Sequence, residues 1–382
     1  MKFNPWTLAL VSVGVISAGS VAQAEEHSVM STVASTTLSG YVDTSAIWKP
    51  GTGRGPLPGR SFDGPDKVDG FNLNAVKVSL EKPLGDATAW SAGYKADLIF
   101  GPDAVAYSSL FNGGGGPSID DMAIKQAYVA LRAPVGNGLD IKMGVWDTII
   151  GYEFFDAGSN PNYSRSYGFF LEPLHHTGVL LSYKINDLFS LAGGVANSTG
   201  AAPINAKHAI ESRKTYMGAI TLTLPEGAGS FQNSVVSVGV INGEAAPGSA
   251  QTMRNFYAGA TLNTPIEGLS FGLAWDYLEN AVPALASSDA YAAALYLSYG
   301  MDKWKANLRA DYAQGTDGTF GYSSPGDRNE LGSLTATLEY DLWENVLTRV
   351  EGRWDRALGG DLPFGMADEN AFTLALNAIY KF

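Results

Sequence analysis

The chain reads as an all-β protein, a transmembrane antiparallel up-and-down β-barrel of about 16 strands with short turns on one side and long loops on the other. Three observations predict this. Segments of strand length alternate apolar and polar residues. Their connections alternate short and long. In the last third, charged residues share one face of neighbouring segments, where they can line water but cannot sit unpaired in a packed core.

Composition agrees. The 382 residues include 45 glycines and 11% aromatics, but only 16% charged residues, as expected of strands joined by tight turns. With no cysteine, neither a disulfide framework nor a thiolate metal site is available. The formal charge of −13 leaves no basic footprint for nucleic acid.

The elements follow in order. MKFNPWTLALVSVGVISAGSVAQA carries Lys2, an apolar stretch from Trp6 to Ala18, and small residues ending Ala22-Gln23-Ala24. This predicts a signal peptide over 1–24 with cleavage after Ala24, an uncleaved anchor helix being the alternative. A short periplasmic segment, 25–35, then leads into a barrel over 36–382. The alternation predicts strands at 36–49, 72–82, 88–100, 123–133, 139–149, 176–185, 189–197 and 214–224. The remaining eight are 233–241, 253–263, 269–278, 290–300, 304–313, 332–342, 346–355 and 371–382. Brief connections at 83–86, 135–138, 186–187, PEGAGS, TPIEG, MDK and 343–345 become periplasmic turns. Longer ones at 50–70, 101–121, 151–175, 198–212 and 314–330 become external loops, which puts both termini in the periplasm.

Aromatic residues cluster near segment ends. Trp48, Phe100, Tyr277, Tyr291, Tyr312 and Trp354 lie near the long loops; Trp90, Tyr183, Tyr299, Trp304, Tyr340 and Tyr380 lie near the short turns. They predict two interfacial girdles, although aromatics favour strands in any case. In WKANLRADY, Leu308 sits on the face opposite Lys305, Arg309 and Asp311. Glu339 and Asp341 oppose Leu338 and Tyr340, while Arg349, Glu351, Arg353 and Asp355 oppose Val350 and Trp354. These nine charged residues are the candidate pore lining, with Leu308 and Val350 facing lipid. The final segment, FTLALNAIYKF, alternates up to Phe382 and is expected to pair with TTLSGYVDTSAIW to close the barrel.

The loop 151–175 exceeds the usual length of a connection without a task. It is expected to fold inward and narrow the pore, with Asp147, Glu153 and Arg165 at the constriction. Arg165 would donate to backbone carbonyls or to a carboxylate such as Asp147 or Glu153.

MGVWDTIIGYE, SNPNYSRSYGFF and EPLHHTGVLLSYKIND together resemble the OmpL-like porin family of outer-membrane β-barrels. The matching positions are Gly144, Asp147 and Thr148; Asn160, Pro161, Ser164, Arg165 and Ser166; and Pro173, His176, Thr177 and Gly178. The likeness is strongest over 142–187, and Ile149 departs from the proline often found after Asp-Thr. It implies a diffusion channel for small hydrophilic solutes or ions in the outer membrane. Tyr380 and Phe382 would then form the C-terminal signal read by the insertion machinery. By analogy the lipid-embedded assembly would be a homotrimer.

Other chemistries fit less well. Ser164, Ser166, His175 and His176 supply the residue types of an esterase, but adjacent histidines on a strand point to opposite faces, a poor arrangement for a shared metal. The run Gly113–Gly116 lacks the lysine and helix of a phosphate loop. Asp120-Asp121 and the set Asp63, Asp66 and Asp69 read as hydrated loop tips before calcium ligands. No cofactor or metal is expected. The alternative function is a non-conducting barrel with a structural, adhesive or receptor role.

Overall fold

The computed structural model describes residues 35–51, 53–107, 122–200, 204–207, 210, 212–244, 251–282, 285, 287–365 and 367–382. The expected signal peptide 1–24, the run Gly113–Gly116 and Asp120-Asp121 lie outside the described residues, as does all of the 25–35 segment but its last residue.

The first eight strands are β1 (Thr37–Trp48), β2 (Gly70–Lys82), β3 (Ser91–Phe100), β4 (Met122–Ala133), β5 (Leu139–Asp147), β6 (His175–Lys184), β7 (Phe189–Ala196) and β8 (Thr215–Thr223). The rest are β9 (Val235–Glu244), β10 (Thr252–Asn263), β11 (Leu269–Glu279), β12 (Asp289–Met301), β13 (Trp304–Thr316), β14 (Arg328–Trp343), β15 (Val346–Ala357) and β16 (Asn370–Lys381). Each pairs with its sequence neighbours, and β1 pairs antiparallel with β16, so the sheet is a closed barrel without free edges. At the seam the Gly40 N–H donates to the Phe382 carbonyl at 2.9 Å, and the Phe382 N–H donates back to the Gly40 carbonyl at 3.0 Å. A Cβ on Gly40 would stand 2.1 Å from the Lys77 carbonyl oxygen, so the strand needs glycine there.

Alternation decides the facing. Along β16, Ala371, Thr373, Ala375, Asn377 and Ile379 are buried, while Phe372, Leu374, Leu376 and Tyr380 are exposed on the outer wall. Leu308, Leu334 and Val350 join that apolar outer band. Aromatic pairs rim it, with Trp304 and Tyr340 at 4.4 Å between ring centroids and Tyr291 and Tyr312 at 5.9 Å.

Several boundaries shift. Strand β14 begins at Arg328 because the ladder continues opposite Gly315 and Thr316, and Arg328 bonds Asp289 at 3.2 Å. Strand β5 stops at Asp147. The Thr148 N–H turns to the Leu174 carbonyl, and Ile149 and Ile150 fold inward against Leu180, Met217 and Ile241. Bulges at Asp43/Thr44 and Asp97/Leu98 break the alternation, and a further register shift falls at Asp341/Trp343 near the β14–β15 turn. Asn74 and Ala75 are both buried on the strand opposite the first, and Lys125 and Gln126 opposite the second.

On the long-loop side the barrel interior holds an apolar core. Leu57, Val68, Tyr163, Tyr167, Leu171, Phe320 and Phe364 come from four different loops and pack against Ile47, Ala290, Ala292, Ala313, Leu331 and Ala357 of the wall. The small alanines leave room for the rings that the loops bring in.

Candidate functional site

The connection between β5 and β6, residues 148–174, crosses the barrel interior. Its shape is held first by its own polar groups. Asn160 clamps Phe154, accepting from its N–H at 2.8 Å and donating to its carbonyl at 2.7 Å. The Arg165 guanidinium donates to the carbonyls of Phe154 at 2.8 Å and Tyr163 at 2.5 Å, and to that of Phe155. It also lies over the rings of Phe62 and Phe169. Ser166 caps the short helix α1 (Tyr167–Leu171), its hydroxyl accepting the Phe169 N–H at 3.3 Å. The resemblance motif is thus a set of turn-forming and carbonyl-capping residues.

The wall then grips this loop through strands β13 to β15. Arg309 donates to Glu153 at 2.9 Å, to the Ser164 carbonyl at 2.6 Å and to Asp311 at 3.0 Å. Arg353 donates to the Arg165 carbonyl at 2.5 Å and to Asp355 at 2.9 Å. Arg349 reaches the carbonyls of Asn162 at 3.2 Å and Ala157 at 2.8 Å, and pairs with Glu339 at 3.2 Å. Acids catch the loop's N–H groups in turn. Glu351 accepts from Tyr163 at 2.6 Å and Ser164 at 3.0 Å, and Asp311 accepts from Tyr167 at 3.1 Å. Asp355 takes the Tyr167 hydroxyl at 2.7 Å and Arg60 of the first external loop at 2.7 Å. Glu153 itself accepts the Ser166 N–H at 2.6 Å.

The candidate residues therefore fall into three groups. The side chains of Glu153, Arg309, Asp311, Arg353 and Asp355 are all 0% exposed, and Arg165, Arg349 and Glu351 are buried with them. Lys305 and Asp341 stand apart at the short-turn end of the wall, where the Asp341 N–H bonds the Lys303 carbonyl at 2.9 Å. Asp147 lies on the opposite wall, paired with Lys125, with 26% of its side chain exposed.

That opposite wall carries charges the sequence reading did not single out. Lys77, Lys95, Lys125 and Lys142 lie on β2 to β5 among Glu81, Asp97 and Asp140. Lys95 pairs with Glu81 at 3.1 Å, and Lys142 sits over the Tyr128 ring at 4.7 Å. From the loop, Asp156 accepts the ammonium of Lys77 and the Tyr41 hydroxyl, the latter at 3.0 Å. Its side chain remains 27% exposed, against 17% for Lys95 and 12% for Lys77. The neighbouring lysines more than offset the cost of burial and hold the Asp156 carboxyl well below the usual carboxylate range. The signal for this wall was present as period-two alternation in VKVSLEK, which sets Lys77 and Glu81 opposite Val76, Val78 and Leu80.

The serine and histidine candidates are each drawn into structural contacts. Ser164 faces Arg309 and Arg353, Ser166 caps α1, His175 stacks on Tyr107, and His176 reaches Thr148 at 3.3 Å. Asp63 is held by Arg60, and Asp69 accepts the Lys49 N–H at 3.2 Å. Among the described residues no group of three or more His, Asp or Glu side chains converges as metal ligands would.

A closed sixteen-stranded barrel with an apolar outer band, a charged interior and a long loop folded across it defines an outer-membrane porin. The chain belongs to the beta-barrel porin-2, OmpL-like family, whose model matches residues 35–382. No curated protein matches it. Among solved structures it is similar to OmpF of Salmonella typhi in complex with daunomycin, at 13% identity and TM-score 0.61, covering 91% of this chain and 97% of that one. It is also similar to an anion-selective porin from Comamonas acidovorans, at 12% identity and TM-score 0.57, covering 91% and 99%. OmpT of Vibrio cholerae in its trimer form aligns at 12% identity and TM-score 0.55, with 91% and 99% covered. Likeness at these identities speaks to the fold.

Proposed function

We propose that the barrel is a constricted diffusion channel for small hydrophilic solutes or ions. In this reading the water path runs between the inward loop and the lysine-bearing wall of β2 to β5. The observation that carries it is the contrast in exposure across the lumen. Asp147, Asp156, Lys77 and Lys95 keep side-chain surface open, while Arg309, Asp311, Arg353 and Asp355 of β13 and β15 are sealed beneath the loop. Arg309, Arg349, Glu351, Arg353, Asp311 and Asp355 then act as anchors that set the loop's position. Asp147 and Asp156 meet permeating ions, and Arg165 and Glu153 keep the loop rigid. Cations and acids alternate along the open wall, so a passing ion meets both signs.

Planar-bilayer recording of the purified full chain tests this. Discrete current steps, reduced when a cysteine placed at Lys142 is modified by a bulky thiol reagent, are the expected result. Silence from a folded, heat-modifiable barrel would overturn the channel reading. It would favour a closed barrel with a structural or receptor role, which the apolar plug around Tyr167, Phe320 and Phe364 supports. The trimer remains part of the proposal, supported by the fold shared with the trimeric OmpT form.

A further inference from the structure

One acidic pair between the loop and the wall has no place in the anchoring network. Glu172 caps the end of α1, and Asp276 points inward from β11. The two carboxyls hydrogen-bond each other, and the Tyr152 N–H also donates to Glu172. Among the described residues no lysine or arginine ion pair reaches either one. Glu153, the nearest comparable acid, is by contrast neutralised by Arg309 at 2.9 Å. The backbone has been cleared to fit the pair. A Cβ on Gly151 would stand 2.2 Å from Glu172 Oε2, and one on Gly168 would stand 2.5 Å from Asp276 Oδ2.

Two hydrogen-bonded carboxyls, Asp276 buried and Glu172 half-buried, with no cation between them cannot both ionise freely, and the hydrogen bond between them needs a proton. The groups facing them do not change that. Glu153 and Tyr152 of the loop and Tyr257 of β10 face the pair, and Arg309 is committed to Glu153, Asp311 and loop carbonyls. Burial first, then the Asp276 charge, holds Glu172 well above the usual carboxylate range.

The pair also lies at a crossing point. Glu172 lines an external vestibule of about 460 Å³ together with Phe170, Asn255 and Leu278. It equally lines a small inner cavity of about 40 Å³ that holds Asp147 and Glu153. We propose that Glu172 and Asp276 share one proton and form a latch that pins the inward loop between vestibule and lumen, releasing it as pH rises. This rests on the channel reading above. With the proton bound, the neutral hydrogen bond ties the end of α1 to β11. Once it is lost, two adjacent carboxylates repel and the loop lifts from the wall.

The sign follows from linkage. The docked loop binds more protons than the released one, so docking weakens with rising pH, by at most about tenfold per pH unit for one proton. The test uses the full-length wild type, Glu172→Gln and Asp276→Asn, each shown to be a heat-modifiable barrel, recorded from about pH 5 to about pH 9. Wild-type current should rise with pH. Both variants donate an amide hydrogen bond at every pH and should give flat profiles near the acid level. Variants that keep the wild-type profile would overturn the latch while leaving the channel reading intact. If no form conducts at any pH, the channel reading fails. Infrared difference spectra then decide the pair, since a protonated-carboxyl band at neutral pH must be present in the wild type and lost in both variants. A wild type without that band overturns the latch.

Discussion

Leu308 and Arg309 are adjacent in sequence but meet different media. Leu308 is exposed on the outer wall and Arg309 is sealed inside beneath the loop. Arginine on the lipid face near the midplane costs about 2–4 kcal/mol, so Leu308→Arg should lower the barrel's unfolding free energy by that order in reversible unfolding from detergent. Arg309→Leu should spare the barrel and free the loop. It leaves Glu153 buried without its cation and Asp311 with only Arg353 at 4.0 Å, a loss of about 3–5 kcal/mol for such a broken pair. Larger and noisier single-channel currents are the expected readout, and unchanged currents would place Arg309 outside the loop's anchorage. Arg165 works differently, because its guanidinium closes three loop carbonyls and faces no open water. Arg165→Ala should therefore loosen the loop, seen as faster proteolysis or hydrogen exchange over 153–169. Arg165→Lys should not restore it, since one ammonium cannot span carbonyls arranged for a planar fork.

At the scale of elements, the external loops behave as a second layer packed inside the first. The short 3-10 helix Pro102–Tyr107 docks through Ala104 and Tyr107 against Phe155 and Ile99. Its Asp103 pairs with Lys67, yet burial outweighs that pairing and pushes the carboxyl up to about 6. The neutral form thus belongs to the docked state. Its contribution is complete below the ordinary value of 3.8 and is lost as pH rises to about 6. Hydrogen exchange of amides 103–107 should lose protection across that window in the wild type but not in Asp103→Asn. Matching profiles would remove Asp103 from the docking. The seam between β1 and β16 offers another test. Deleting Phe382 removes both backbone bonds to Gly40, and the variant should show a lower outer-membrane level and weaker heat-modifiable mobility. Wild-type levels would show that neither the seam nor an aromatic insertion signal at Tyr380 and Phe382 depends on this residue.

For the whole molecule, much of the barrel was legible because its side chains answer to lipid on one face. Any run such as FTLALNAIYKF or WKANLRADY must then show period two, and short and long connections must alternate. Strand ends were less legible. Arg328 and Asn329 look like loop until their partners Gly315 and Thr316 are known, and Ile149 looks like strand until the interior it enters is known. The lysine wall was readable in part through VKVSLEK, but Lys125 and Gln126 both face inward only because a bulge breaks the alternation. By itself the sequence determined the barrel, its strand count and the medium each alternating face meets, since these follow from local periodicity and turn chemistry. Only the tertiary structure decided which interior charges touch water. Arg309, Arg353 and Asp355 carry the same local pattern as Lys77 and Lys95, yet a loop more than a hundred residues distant from β13 and β15 covers the first set and leaves the second partly open. The physical reason is that charge and alternation are local properties, whereas solvent access depends on which distant segment is folded against the wall.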